Sequence, residues 1–348
     1  MNERPLARLC SLVSLLLTAA LLAAPGADAA PVPAPAGTGV AAAAAAALPP
    51  GMRLAGGARL REVRRAGQRT LDVTIDSAAL GGEGRARILL PRGHAGPRGR
   101  PWPVLYLLHG CCDDAGGWRQ WTAHSDIERL TARYGVLVVI PDGGTHGFYS
   151  DWWNGGLHGP PAWETFHLTE LMGLVRDGLG GGPLRAVAGV SMGGFGALSY
   201  AARNPGMFRA AASYSGLTDS VSGAANVLAV LAGYGADPSA LWGEPVRQSG
   251  LWSEHNPYDQ VKALRGVRLF VSSGDGRPGP LDPPRRPFDP LEGWVGPMSA
   301  RFVEHARAAG VRVTADLYGA GTHGWAYWNR ELTRSLPLLM AAVGARPA

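Results

Sequence analysis

From about residue 54 onward the chain alternates compact apolar runs with stretches whose apolar residues recur every three to four positions. TLDVTID and ARILLP come first, followed by WPVLYLLHG, GVLVVIPDG, LRAVAGVS, FRAAASYSG, VRLFVSSGD and VRVTADLYG. The later runs are apolar at successive positions and end at Gly, Pro or Asp, which predicts strands buried on both faces. Between them, helical periodicity predicts helices over 127–134, 163–179, 192–203, 298–309 and 331–343. Strand and helix in repeated alternation imply an α/β fold, with a mostly parallel central sheet and helices on both faces. Ligands in such sheets bind beyond the carboxyl ends of the strands, so the loops after the strands are where chemistry is expected. Residues 217–266 are long for a loop and contain ANVLAVLAGYGA; they predict a short helical cap, either packed on the core or forming a wall of an acyl pocket.

The ends of the chain read differently. Residues 1–29 have the pattern of a secretory signal: Arg4 and Arg8, the apolar run LCSLVSLLLTAALLAA, and an A-x-A site at Ala27-Asp28-Ala29. Cys10 opens that run instead of closing it, which is not a lipid-anchor setting. Residues 30–53 are Ala- and Pro-rich and are expected to be a linker, leaving 54–348 as one catalytic-sized domain. No other stretch approaches the roughly 18 apolar residues of a membrane span, so a secreted or cell-wall-associated protein without a transmembrane segment is expected. The formal charge of +6 is unchanged by loss of the signal, because Arg4 and Arg8 leave together with Glu3 and Asp28. The excess is almost all arginine, Lys262 being the only lysine, and no basic run is interleaved with aromatics. A nucleic-acid partner is therefore not expected, whereas weak attraction to anionic envelope polymers is.

The strongest chemical motif is Gly189-Val190-Ser191-Met192-Gly193, between an apolar strand run and the helical GGFGALSYAARNP. A sharp strand-to-helix turn of this composition holds a serine up for nucleophilic attack. The serine needs a base after the last strand, and His323 in GAGTHGWAYWN meets that requirement. His146, His158 and His167 precede the serine and His305 lies on a helix; their spacing suits no metal cluster, and neither metal nor cofactor is expected. Asp275, directly after VRLFVSSGD, is favoured by spacing as the acid that orients the histidine, with Asp282, Asp289 and Glu292 following it. An oxyanion on the attacked carbonyl needs two backbone N–H donors. Met192, after the serine, supplies one and Cys111, after LYLLHG, the other.

These residues resemble the esterase-D-like α/β-hydrolases, and within them most closely the secreted antigen-85-type mycolyltransferases and diacylglycerol acyltransferases. The likeness runs from about residue 102 to 336 through YLLHG, DDAGGW, FYSDWWN, WETF, GVSMGG, NPGMFRAAASYSG, LWG, NPYDQV and GTHGWAYWN. It implies a serine, glutamate and histidine triad; PLEGW before GPMSARFVEHARAAG matches the block that carries the family's glutamate, so Glu292 moves ahead of Asp275. It also implies that His109, Cys112, Asp219, Trp294 and Trp325 contribute to substrate binding. Where the mycolyltransferases have Asp-Gly before the oxyanion residue and arginine after it, this chain has His109 and Cys112, which weakens the case for a trehalose acceptor.

The expected activity is that of a secreted serine esterase or acyltransferase, which passes an acyl group from a lipid-type ester to water, an alcohol or a sugar hydroxyl. Two rivals stand beside it: a carbohydrate esterase, for which the aromatics of FYSDWWN would line a sugar site, and a cell-wall-binding protein on a hydrolase fold. The adjacent Cys111 and Cys112 are free, joined in a vicinal ring, or paired between molecules. Oxidation of the pair would be expected to distort the oxyanion loop.

Overall fold

The computed structural model describes residues 40–46, 48–112 and 116–347. The expected signal at 1–29 and the first part of the expected linker lie outside the described residues. Nine strands form one sheet: β1 (Arg59–Arg65), β2 (Thr70–Ser77), β3 (Gly82–Leu89), β4 (Trp102–Leu108), β5 (Leu137–Pro141), β6 (Gly181–Val190), β7 (Ala210–Tyr214), β8 (Arg268–Gly274) and β9 (Val313–Gly319). Their order is β1-β2-β3-β5-β4-β6-β7-β8-β9. The first three strands run antiparallel to one another and β3 runs antiparallel to β5, while every pairing from β5 to β9 is parallel. The chain therefore enters the sheet as a meander and continues as strand–helix–strand crossovers.

The helices, in chain order, are α1 (Val40–Ala46), α2 (Gly117–His124), α3 (Ile127–Thr131) and α4, which starts at Trp163–Thr165 and continues through the wider turns Phe166–Leu171 and Leu174–Gly178. They continue with α5 (Met192–Arg203), α6 (Ala224–Gly233), α7 (Ser249–His255), α8 (Pro290–Ala308) and α9 (Trp325–Ala342). Alternate strand residues feed two cores, because successive side chains point to opposite faces of a sheet. On one face Val104, Tyr106, Leu108 and Val187 meet Phe166 of α4, Phe195 and Leu198 of α5, and Met298 and Phe302 of α8. On the other, Leu105, Leu107, Ala186 and Val190 meet Trp121 of α2, Ile127 of α3, and Leu332, Leu336 and Leu339 of α9.

The structure departs from the sequence reading at α1, β1, the unexpected α2 and the starts of α8 and α9. Residues 40–46, within the expected linker, form α1, and Ala44 and Leu48 are buried in the main core. An Ala-rich run has the best helix propensity, and packing stabilises a helix this short. β1 escaped the apolar pattern because RLREVRR is mostly exposed, burying only Leu60 fully; ladder pairing with β2 holds it at the sheet edge. α8 starts eight residues before the expected 298, through Gly293, Gly296 and Pro297, and α9 starts six residues before the expected 331. The expected cap contains α6, whose Val227 and Leu231 are buried in the main core and whose Val230 is half-buried.

One buried charge on α9 lends itself to a direct test. Glu331 is fully buried, receives Arg330 Nε at 2.7 Å and has Arg334 Nη1 3.6 Å away. Burial raises its carboxyl to about 7 despite the arginine. The folded state therefore binds a proton more tightly than the unfolded chain, so this group's contribution is complete at acid pH and is lost as pH rises through about 7. In thermal melts at pH 5 and pH 8, Glu331→Gln should lose less stability over that interval than the parent; parallel losses would contradict this assignment.

Candidate active site

Ser191 sits at the end of β6, in the middle of the parallel part of the sheet, with φ 54° and ψ −120°. A non-glycine residue held there costs of order 1–3 kcal/mol and persists only when its surroundings enforce it. The enforcement is visible in the flanking glycines. A Cβ on Gly189 would lie 2.1 Å from the Gly193 carbonyl oxygen, and one on Gly193 would lie 2.4 Å from the oxygen of Leu108 and 2.5 Å from that of His109. The G-x-S-x-G spacing is thus the condition for the turn to close against β4. Ser191 N–H donates to the Tyr214 carbonyl at 2.9 Å, and the Ser191 carbonyl accepts from Gly194 and Phe195 as α5 begins. Met192 is the first residue of α5, so its N–H has no carbonyl of a preceding helical turn to bind.

The loop after β4 lies directly beside the serine, since a Cβ built on Gly110 would stand 3.4 Å from Ser191 Cβ. Cys111 follows in that loop, and its sulfur is joined to that of Cys112. Cys112 has φ 80°; its N–H donates to the Thr145 carbonyl at 2.8 Å and its carbonyl accepts from Tyr234 Oη at 3.2 Å. The loop is thereby tied to the segment after β5 and to the cap.

His323 lies between β9 and α9, and its Nδ1 is 2.7 Å from Glu292 Oε2. Glu292 is fully buried. Its other oxygen accepts from Ser215 Oγ at 2.9 Å, Ser273 Oγ at 2.8 Å and Gly274 N at 2.6 Å. Burial pushes this carboxyl up, but the hydrogen bond and charge of His323, together with the Gly274 and Ser273 donors, outweigh it and leave the group below the usual carboxylate range. Trp328 packs edge-on against the His323 ring and donates Nε1 to Ser215 Oγ at 3.1 Å. Among the described residues His323 Nε2 has no hydrogen-bond partner. A base oriented by a buried carboxylate, with its second nitrogen unengaged, can accept a proton from a hydroxyl.

The other acids after β8 have different partners. Asp275 turns to Arg277, whose hydrogen bond lowers its pKa. Asp282 holds Thr322 and Tyr327. Asp289 caps α8, accepting from Leu291 and Glu292 N–H, and also accepts from His323 N–H at 3.1 Å. Sequence reasoning had not given Asp289 this double part, although Asp-Pro-x-Glu is a recognisable helix start. Nor had it found Ser215 and Ser273, for which the sequence carries no signal beyond their places after strands.

The expected substrate-binding residues fare unequally. His109 is 2% exposed and both its ring nitrogens bond within the chain, so it does not line a substrate surface. Asp219 is half-buried and organises its own segment, accepting from Ser222 N and Asn256 Nδ2. Trp294 is half-buried on α8 near Gly223. Trp325 is half-buried among Trp121, His124 and Trp328. Among the described residues no group of three or more His, Cys, Asp or Glu could hold a metal ion.

Sheet order, the strained serine after the central strand and the histidine after the last strand define the α/β-hydrolase fold class. Within it the chain belongs to the Esterase family, described as "Putative esterase", whose model matches residues 77–339; it is an enzyme of ester chemistry. It is 33% identical over 258 residues to the diacylglycerol acyltransferase/mycolyltransferase Ag85B of Mycobacterium intracellulare, covering 70% of this chain and 76% of that one. To the Ag85A protein of Mycobacterium tuberculosis it is 34% identical over 260 residues, covering 70% and 75%. Among solved structures, Mycobacterium tuberculosis MPT51 (FbpC1) is similar with a TM-score of 0.62 and 25% identity, over 77% of this chain and 96% of that one. An S-formylglutathione hydrolase from Agrobacterium tumefaciens shares the fold at a TM-score of 0.62 with 18% identity, over 82% and 99%.

If Glu292 is the acid that orients His323, Glu292→Gln should lower ester turnover by about 10³–10⁴-fold, the scale seen when a triad acid becomes an amide. Asp275→Asn should leave turnover close to the parent. A p-nitrophenyl ester assay on both variants decides, and a larger loss in Asp275→Asn would transfer the role.

Proposed function

We propose that the chain is a secreted serine esterase or acyltransferase that works through an acyl-enzyme. The observation that supports this reading is the 2.7 Å pairing of His323 Nδ1 with buried Glu292, which leaves Nε2 unpartnered at the sheet end that carries Ser191. In the proposed reaction His323 Nε2 takes the Ser191 hydroxyl proton as Oγ attacks the ester carbonyl. The N–H groups of Met192 and Cys111 receive the oxyanion, and losing one such donor typically costs about 2.7–4 kcal/mol. His323 then protonates the departing alcohol, and water or a second alcohol resolves the acyl-serine by the same steps in reverse. Glu292 stays ionised throughout, because its pKa is already low, and stabilises the imidazolium that forms.

The acyl group is proposed to be of lipid type, on the strength of the relatives' diacylglycerol acyltransferase/mycolyltransferase activity. The acceptor is water, an alcohol or a sugar hydroxyl. The polysaccharide-esterase reading loses support, because Phe148, Tyr149 and Trp152 of FYSDWWN are buried in the core and only Trp153 is half-buried. Export through residues 1–29 and weak attraction of the +6 chain to anionic envelope polymers complete the proposal. Among the described residues no helix is long and apolar enough to cross a membrane.

Ser191→Ala should abolish p-nitrophenyl ester turnover, by about 10⁴-fold or more. A fluorophosphonate should label the parent but not the variant; near-parent activity in the variant would overturn the mechanism. Incubating the parent with an acyl donor, with and without alcohol acceptors, then measures the partition between hydrolysis and transfer. Protein recovered from the culture medium should begin at Ala30.

A further inference from the structure

We infer that His109 is a positioning residue for the oxyanion hole, one that aims the Cys111 N–H by anchoring the carbonyl of the same peptide unit. The inference rests on the proposed use of the Cys111 N–H as an oxyanion donor and deepens it. His109 Nδ1 lies 2.7 Å from the Gly110 carbonyl oxygen, and Gly143 N lies 2.8 Å from His109 Nε2. A backbone N–H can only donate, so Nε2 accepts and carries no proton. The ring proton is then on Nδ1, where it donates to Gly110 O. Asp142 Oδ1 stands 3.5 Å from Nε2 and would invite the opposite tautomer. That tautomer would set N–H against N–H at 2.8 Å and lone pair against lone pair at 2.7 Å, a double mismatch that a 3.5 Å contact to Asp142 Oδ1, which also accepts from Gly144 N at 3.1 Å, does not offset.

The consequence follows from peptide geometry. The Gly110 carbonyl and the Cys111 N–H belong to one planar trans peptide and point in opposite directions. A ring that holds the oxygen therefore fixes the direction of the N–H. Accepting a hydrogen bond at oxygen also polarises the amide and strengthens its N–H as a donor. The anchor itself does not yield: the ring is buried, its backbone carbonyl accepts Tyr149 Oη at 2.8 Å, and Nε2 ties it to the segment after β5.

A purely structural histidine, joining two loops, would affect stability without a selective effect on kcat, and near-isosteric substitutions separate the two roles. His109→Asn has an amide nitrogen that can take the place of Nδ1 and donate to Gly110 O, but has no acceptor for Gly143. His109→Gln reaches Gly143 with an acceptor and lacks the donor to Gly110. The expected result is that His109→Gln and His109→Ala lose about 10–10²-fold in kcat with KM within about threefold, part of what loss of an oxyanion donor costs. His109→Asn should stay within about fivefold of the parent in kcat. Parent-like kcat in a folded His109→Gln, a loss carried by KM, or rescue by Gln instead of Asn would each overturn the inference. The ¹⁵N shifts of His109 in the unaltered protein give a check independent of variant folding: the neutral Nδ1–H tautomer is expected, and an Nε2–H tautomer would refute it. Fluorophosphonate labelling runs alongside. An unlabelled parent counts against Ser191 as nucleophile, whereas a labelled parent with an unaffected Gln variant counts against His109 alone.

Discussion

The backbone of Ser191, held at φ 54° between β6 and α5, is the constraint around which the rest of the molecule is arranged. A turn this sharp can close only if neighbouring chains come closer than side chains allow, and Gly189 and Gly193 provide that closeness. It also needs a rigid frame. β6 is flanked by parallel β4 and β7, and α5 is buried along almost its whole length, so neither arm of the turn can relax the strain by moving. An unfavourable dihedral of order 1–3 kcal/mol is tolerable in a sheet with a full core on each face. The same compression brings the loop after β4 against the serine.

The second organising element is a buried carboxylate. Burying Glu292 would be costly if it were alone, yet four hydrogen bonds from His323, Ser215, Ser273 and Gly274 satisfy both oxygens. Those donors come from the ends of β7 and β8 and from the loop after β9, so the carboxylate gathers the carboxyl edge of the sheet onto the start of α8. Asp289 completes the arrangement by capping α8 and binding the His323 amide. One cap thus aligns the helix that carries Glu292 with the backbone that carries His323.

How much of this could be read in advance depended on whether the physics was local. The central parallel strands and α5 were legible because burial on both faces leaves nearly continuous apolar runs and because Gly-x-Ser-x-Gly is a local steric requirement. β1 was not, since a charged edge strand is defined by its partner's ladder and not by its own pattern. The start of α8 was hidden by Gly293, Gly296 and Pro297, residues that disfavour a helix locally and are tolerated here by tertiary packing. Spacing favoured Asp275 over Glu292, and only resemblance reversed the order. The structure has Arg277 holding Asp275 and His323 Nδ1 paired with Glu292, and neither contact has a signature in sequence. His109 shows the same limit: a His-Gly dipeptide after a strand announces a loop near the chemistry, but the direction of the ring depends on Gly143, 34 residues away.

The loop after β4, which carries the proposed Cys111 donor, is held from more than one side. Beneath it, His109 grips Gly110 O and Gly143 N. Beside it, Thr145 O takes the Cys112 N–H; above, Tyr234 of the cap, stacked on His146, donates to Cys112 O. Catalysis of ester cleavage gains most from donors already aimed where charge develops, because no reorganisation is then needed during the reaction. A loop restrained both by the segment after β5 and by the cap would meet that condition before substrate arrives. On the proposed mechanism, donors held in this way would stabilise the oxyanion equally for water and for an alcohol, so a preference between hydrolysis and transfer would have to come from how the site admits one acceptor and excludes the other.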